Sequence, residues 1–186
     1  NGCQIPSSTA TVVEPDLVEI TLEISSNYTD EDVSCVGSTD GEVTATATGG
    51  VGTYDFSKDG GTTWQSSPVF PGLSAGSHTI SVRDANGCIA SANITLTNPA
   101  ALVTSGSVSS NWNGQQISCH GVSDGEITGV ISGGVGGFTY SLTPSNYTSN
   151  NIFPGLSAGT YTVHYEDSNE CFASEVLTII SPASLS

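Results

Sequence analysis

The chain has 186 residues and carries eighteen Asp and Glu against two basic residues, Lys58 and Arg83, for a net charge of −16 at pH 7. So acidic a surface repels phosphate backbones and anionic headgroups, which excludes nucleic-acid binding and disfavours a membrane surface. No apolar run reaches the roughly 20 residues that cross a bilayer, so no membrane insertion is expected, and a Met-free composition rich in Ser, Thr, Gly and Asn reads as that of a secreted bacterial surface protein.

In chain order, Asn1-Gly2-Cys3 matches Asn86-Gly87-Cys88, and Pro15 follows it much as Pro99 follows Cys88. Residues 1–14 therefore read as the last strand of a truncated preceding repeat. Val18, Ile20, Leu22 and Ile24 then alternate with polar residues, the mark of a half-buried strand. Val43, Ala45 and Ala47 do the same among threonines, as do His78, Ile80 and Val82, and Ile94 and Leu96 close the segment. Gly49-Gly50, Asp59-Gly60-Gly61, Pro71-Gly72 and Asn86-Gly87 supply turn chemistry between them.

The whole pattern then returns. Cys35-Val-Gly-Ser-Thr-Asp-Gly-Glu42 reappears as Cys119-His-Gly-Val-Ser-Asp-Gly-Glu126, and Phe70 to Gly76 recurs unchanged as Phe153 to Gly159. Asp84-Ala-Asn-Gly-Cys88 becomes Asp167-Ser-Asn-Glu-Cys171. A repeat this long is a small domain, giving modules over residues 15–99 and 100–186. About seven short strands per module, with no helical period, predict an all-β chain of two tandem immunoglobulin-like antiparallel β-sandwiches. The linker Asn98-Pro99-Ala100-Ala101 lacks a flexible tract and predicts modules stacked end to end with limited bending.

Each module has one early and one late cysteine, so the repeat predicts one disulfide per module, Cys35–Cys88 and Cys119–Cys171. Cys3 is left unpaired and is expected to link chains into dimers in air; otherwise the chain is expected to be a monomer. No CxxC pair or His cluster offers a zinc site.

Ser57-Lys-Asp-Gly-Gly-Thr-Thr-Trp64 resembles the Asp-box of sialidases, in which Ser and Asp brace a hairpin turn and Trp packs beneath it; the second module lacks it. Asp40 and Glu42, with their copies Asp124 and Glu126, are the acids that recur as close pairs. One reading is a turn entering a strand. The other is calcium, with Asp84 or Asp167 adding a further carboxylate, although no EF-hand or nonapeptide calcium motif is present. Asp30-Glu31-Asp32 has no counterpart in the second module and reads as a solvated loop. Trp64 and Trp112 are candidate sugar contacts if exposed, and packing residues otherwise. His78, His120 and His164 fall at three different module positions, and no nucleophile elbow or phosphate loop occurs. These residues predict no enzyme and no cofactor beyond the calcium candidate.

Taken together, Cys35, Gly37, Asp40-Gly41, Gly49-Gly50, Gly52, Leu73, Ala75-Gly76 and Asp84, Asn86-Gly87-Cys88, with the second set from Cys119 to Cys171, resemble the SprB-type repeat of very large gliding-motility adhesins. His78 departs where an aromatic is usual. Glu170 stands where Gly is usual, which predicts a less regular second turn. The resemblance implies a non-enzymatic stalk or multivalent contact segment on the extracellular face of a bacterial cell. The partners it implies are neighbouring repeats and extracellular polysaccharide or substratum. The alternative is a carbohydrate-binding accessory module of a secreted polysaccharide-processing protein.

Overall fold

The structure, a computed structural model, describes residues 12–184, and among them every regular element is a β-strand. Cys3 and the rest of residues 1–11 lie outside the described residues. The first repeat supplies β1 (Glu19–Ile24), β2 (Gly41–Thr48), β3 (Asp55–Ser57), β4 (Val69–Leu73), β5 (Gly76–Arg83) and β6 (Ile89–Leu96). These form two three-stranded sheets, ordered β1-β2-β4 and β3-β5-β6. The predicted alternation is the alternation found. Val43 and Ala45 of β2, and Ile80 and Val82 of β5, are buried, while Ile20, Leu22 and Ile24 of β1 are half-buried.

The second repeat supplies β7 (Val103–Thr104), β8 (Ser107–Val108), β9 (Gly125–Thr128), β10 (Ile131–Ser132), β11 (Thr139–Ser141), β12 (Ile152–Leu156), β13 (Gly159–Glu166) and β14 (Phe172–Ile179). One sheet runs β8-β9-β12 with the pair β7-β10 alongside, and the other runs β11-β13-β14. All the pairings in this repeat are antiparallel. Ile127 of β9 and Ile131 of β10 meet Val163, Tyr165 and Ile179 of the β11-β13-β14 sheet, with Ile117 from the connecting loop. That is an immunoglobulin-like antiparallel sandwich with one core, and each fully buried side chain of this size contributes about 1.5–3 kcal/mol.

Six strands in one repeat and eight in the other replace the expected seven. β7 with β8 is the copy of β1 broken at Ser105-Gly106, and β9 with β10 is the copy of β2 broken at Gly129-Val130. Tyr165 explains the breaks. It stands where the first repeat has Val82, and its ring needs room: a Cβ on Gly106 would lie 2.7 Å from its hydroxyl, and one on Gly129 would lie 3.2 Å from its ring. The first repeat has Leu22 and Ala45 at those places. A larger core residue has been accommodated by two glycines, which loosen both strands locally.

Pro71-Gly72 and its copy Pro154-Gly155 do not form the expected turns. They lie inside β4 and β12, which are edge strands, and the register slips between Pro154 and Leu156. Proline lacks a ladder donor and glycine accepts positive φ, here 75° and 76°, so the pair makes an edge bulge.

The chain divides into two compact units that cut across the repeats. One gathers the chain up to Glu23 with Val43–Phe70 and Ser77–Ile94. The other gathers Ile24–Glu42, Pro71–Gly76 and everything from Thr95 onward, so the Cys35 loop of the first repeat belongs to the unit that holds the second repeat.

Candidate functional site

Within that second unit, Cys35 bonds to Cys171, with the Cα atoms 5.6 Å apart and 136 positions between them in sequence. This corrects the pairing predicted from the repeat. Cys35 does not join Cys88, and Cys119 does not join Cys171; Cys88 and Cys119 are exposed free thiols. The early cysteine of one repeat is joined to the late cysteine of the next. Internal symmetry marks the two positions but not which copies meet, since both connectivities obey the same repeat.

The bond sits in a seat of backbone carbonyls. The Asn169 side-chain amide donates to the carbonyl oxygens of Tyr28 at 3.0 Å and Ser34 at 3.3 Å, and its Oδ1 accepts from the Thr29 hydroxyl at 3.1 Å. The Cys171 sulfur lies 3.2 Å from the Ser34 carbonyl. Beside it is a cleft of about 360 Å³, walled by Val36 and Pro99 of the first repeat and by Ala100, Leu102 and Phe172 of the second.

The late cysteine is presented by a turn built on an aspartate. Asp167 Oδ1 accepts from the backbone N–H of Asn169 and of Cys171, each at 2.9 Å, and Oδ2 accepts from Val135 N–H at 2.9 Å. Asp84 does the same for Asn86, Cys88 and Val51, at 2.9, 2.8 and 2.9 Å. The Gly-Gly-Val-Gly segment and the Asp-x-Asn-x-Cys turn are thus two halves of one element. Burial opposes ionisation of Asp84, but the backbone donors of Val51, Cys88, Asn86 and Gly87 outweigh it and hold the carboxyl below its usual range.

The other calcium candidates are placed in the same duplicated way. Asp40 Oδ1 accepts from Ser34 N–H at 3.1 Å and Asp124 Oδ1 from Ser118 N–H at 3.0 Å. Glu42 accepts from the Ser25 hydroxyl at 2.9 Å and Glu126 from the Ser109 hydroxyl at 2.8 Å. Among the described residues, no three His, Cys, Asp or Glu side chains converge as a metal site would require. The pattern Asp-Gly-Glu is shaped by turn and strand-entry hydrogen bonds.

Asp32 was not legible as a structural residue. Rather than lying in a solvated loop, its Oδ2 accepts from both the backbone N–H and the hydroxyl of Thr97, each at 2.7 Å. It does have a counterpart: Gln116 Oε1 accepts from Ile180 N–H at 2.6 Å. An amide replaces a carboxylate, which hides the equivalence from a search for repeated acids.

The Asp-box forms its hairpin. Ser57 Oγ accepts from Gly61 N–H at 2.9 Å and Asp59 accepts from Thr63 N–H at 2.9 Å. The Thr63 hydroxyl first, then the Thr63 backbone and Ser57, draw the Asp59 pKa down to about 2. Trp64 is half-buried and carries the Arg83 guanidinium 4.5 Å over its ring; Arg83 also pairs with Asp55 at 2.8 Å. Trp112 is 46% exposed and borders a shallow cleft of about 210 Å³ with Ser110, Asn111, Asp124 and Glu126.

Residues 27–63 and 113–146 match the SprB repeat family. Both matched segments contain the early cysteine of their repeat, in the loop before the Asp-Gly-Glu strand. No curated protein matches the chain. Among solved structures, the C-terminal 282-residue fragment of intimin, in complex with the intimin-binding domain of its translocated receptor, is similar at 15% identity and a TM-score of 0.41. The similarity covers 87% of this chain and 64% of that one. The fibronectin(III)-like modules of Clostridium thermocellum CbhA are similar at 10% identity and a TM-score of 0.35, covering 87% of this chain and 94% of theirs. Eight N-terminal Ig domains of the Down syndrome cell adhesion molecule are similar at 14% identity and 0.37, covering 90% and 25%. Among the described residues no helix is long and apolar enough to cross a membrane.

Proposed function

We propose that the chain is a non-catalytic segment of a secreted bacterial cell-surface adhesin that serves attachment and gliding motility. The two SprB repeats support the adhesin reading. The observation that carries the mechanical part is the Cys35–Cys171 bond. A tether that holds a moving cell is loaded along its length, and a covalent bond across the repeats bears load that would otherwise unfold the chain between them. Contacts with extracellular polysaccharide or substratum then add up over many weak sites. Antibodies against the chain should label intact cells of the bacterium that makes it, and removing both repeats from the parent protein should weaken attachment under flow. Labelling that appears only after the cells are permeabilised overturns the reading.

Trp112 favours a second reading, a carbohydrate-binding module, because an exposed ring beside Asn111, Asp124 and Glu126 offers a stacking face next to hydrogen-bonding groups. The test is a glycan array probed with the Cys3→Ser chain, with and without calcium. Binding abolished by Trp112→Ala establishes a sugar site, and a blank array returns the repeat to spacing alone.

A further inference from the structure

The Cys35–Cys171 seat has two parts, and each part occurs a second time in the chain. The receiving part is the loop around Cys35. Its copy around Cys119 is an open cleft of about 460 Å³ lined by Ser118, Cys119, His120, Pro182, Ala183 and Ser184. Cys119, His120 and Pro182 to Ser184 stand where Cys35, Val36 and Pro99 to Ala101 line the first cleft, and Ser118 repeats Ser34. Its backbone is preformed in the same way. Ser118 N–H is held by Asp124 as Ser34 N–H is by Asp40. Trp112 and Gln115 exchange backbone bonds as Tyr28 and Glu31 do, and Val122 N–H donates to the Cys119 carbonyl as Ser38 N–H does to that of Cys35.

The entering part is the Asp-x-Asn-x-Cys turn. Its copy at 84–88 has the hydrogen bonds of the turn at 167–171, but its side chains are differently exposed. Cys171 is buried and Asn169 half-buried in the seat, while Cys88 and Asn86 are exposed. One receiving loop and one entering turn are therefore engaged with each other. The other loop and the other turn each present a thiol to solvent.

We propose that the Cys119 cleft is a docking site for the Asp-x-Asn-x-Cys turn of a further copy of the repeat, closed by a disulfide between the two. Every such bond staples one repeat to its neighbour, and between separate chains the linkage is Cys119 of one copy to Cys88 of another. Asn86 of the entering copy then donates to the carbonyls of Trp112 and Ser118, as Asn169 does to those of Tyr28 and Ser34. The oxidant is a small-molecule disulfide such as oxidised glutathione. The Cys88 thiolate attacks one of its sulfurs and expels one glutathione thiolate. The Cys119 thiolate then attacks the Cys88 sulfur and expels the second, so one disulfide forms as another is reduced. The proposal stands apart from the adhesin reading, since it concerns how copies join and not what they hold.

The test uses the full chain with Cys3→Ser, as a mixture of unlabelled and ¹⁵N-labelled protein, in a glutathione redox buffer. Linked peptides are identified by mass spectrometry. The expected result is a ladder of multimers on non-reducing gels, joined between labelled and unlabelled chains by Cys88–Cys119. That link should exceed Cys88–Cys88 and Cys119–Cys119 together, where random encounter makes the two classes equal. Asn86→Ala, at an exposed position, should lower the Cys88–Cys119 yield about fivefold, from two lost hydrogen bonds of modest net worth, and leave Cys35–Cys171 intact. A chain that stays monomeric, a random mixture of links, or a yield indifferent to Asn86→Ala overturns the proposal.

Discussion

Asn169 donates through its side chain to the carbonyl of Ser34, a residue 135 positions earlier and in the preceding repeat, and this bond adjoins the disulfide between Cys35 and Cys171. The amide positions the turn, and the sulfurs fix it. On chain-entropy grounds, closing a loop of this size stabilises the folded state by about 5 kcal/mol. Cys35→Ser should therefore lower the midpoint of denaturant unfolding steeply, and Asn169→Ala should cost about 1 kcal/mol and slow reoxidation of the reduced chain. In single-molecule pulling, reduction should release roughly 480 Å of extra length from the residues inside the bond. Equal extension of the oxidised and reduced chains would mean that the bond bears no load.

Asp167, itself almost unexposed, collects three backbone N–H groups at 2.9 Å, so its loss leaves one buried and two half-buried donors without an acceptor. Asp167→Ala should destabilise by roughly 3 kcal/mol, and Asp84→Ala should act in the same direction on its own turn. Asp167→Asn keeps one acceptor oxygen and should fall between wild type and Ala. Thermal unfolding of the three proteins gives the order directly.

Acid should reach the Asp-box late. Asp59 titrates at about 2 in the folded chain against an ordinary value of 3.8. A depressed folded pKa contributes stability that is complete above the unfolded value. That contribution fades as pH falls from about 4 towards 2. The Asp59 carboxyl resonance should have its midpoint near 2, and Thr63→Val, which removes the strongest of its donors, should raise it. A midpoint at the ordinary value would show that the turn does not hold the charge.

Glu170 adopts φ 62°, where its counterpart Gly87 has φ 83°, and both turns close with the same backbone bond, from Gly87 N–H to the Asp84 carbonyl at 3.0 Å and from Glu170 N–H to that of Asp167 at 3.1 Å. The second turn is thus as regular as the first, contrary to the expectation from its missing glycine, and the side chain accepts a left-handed conformation instead. Glu170→Gly should stabilise the chain by about 1 kcal/mol. An unchanged or lowered melting temperature would show that the Glu170 side chain recovers this cost through contacts of its own.

The strands were readable because their physics is local. Alternation in Val43-Thr-Ala45 or Tyr161-Thr-Val163 selects one face for the core wherever it occurs. The Asp-box was readable for the same reason, as its partners lie within six residues. The seat was not. Asn169 meets Tyr28 across two repeats, and the period that reveals each cysteine's role is silent about which copy it meets. The acids at 84 and 167 recur with their turns, so recurrence alone cannot separate a metal ligand from an acceptor for backbone N–H groups. The breaks in the second repeat depend on a three-way exchange among Tyr165, Gly106 and Gly129, residues far apart in the chain, and alternation does not register such an exchange.

The bond from Cys35 to Cys171 also makes the chain between them a covalent ring. A protease that cuts once anywhere inside that ring opens it but does not sever the molecule, and the flanking segments stay joined. Damage that would part an ordinary string of domains would here be invisible until the disulfide was reduced. A nicked chain should run at full mass on a non-reducing gel and as two fragments on a reducing one. The ring therefore tolerates a single cut without losing either flank.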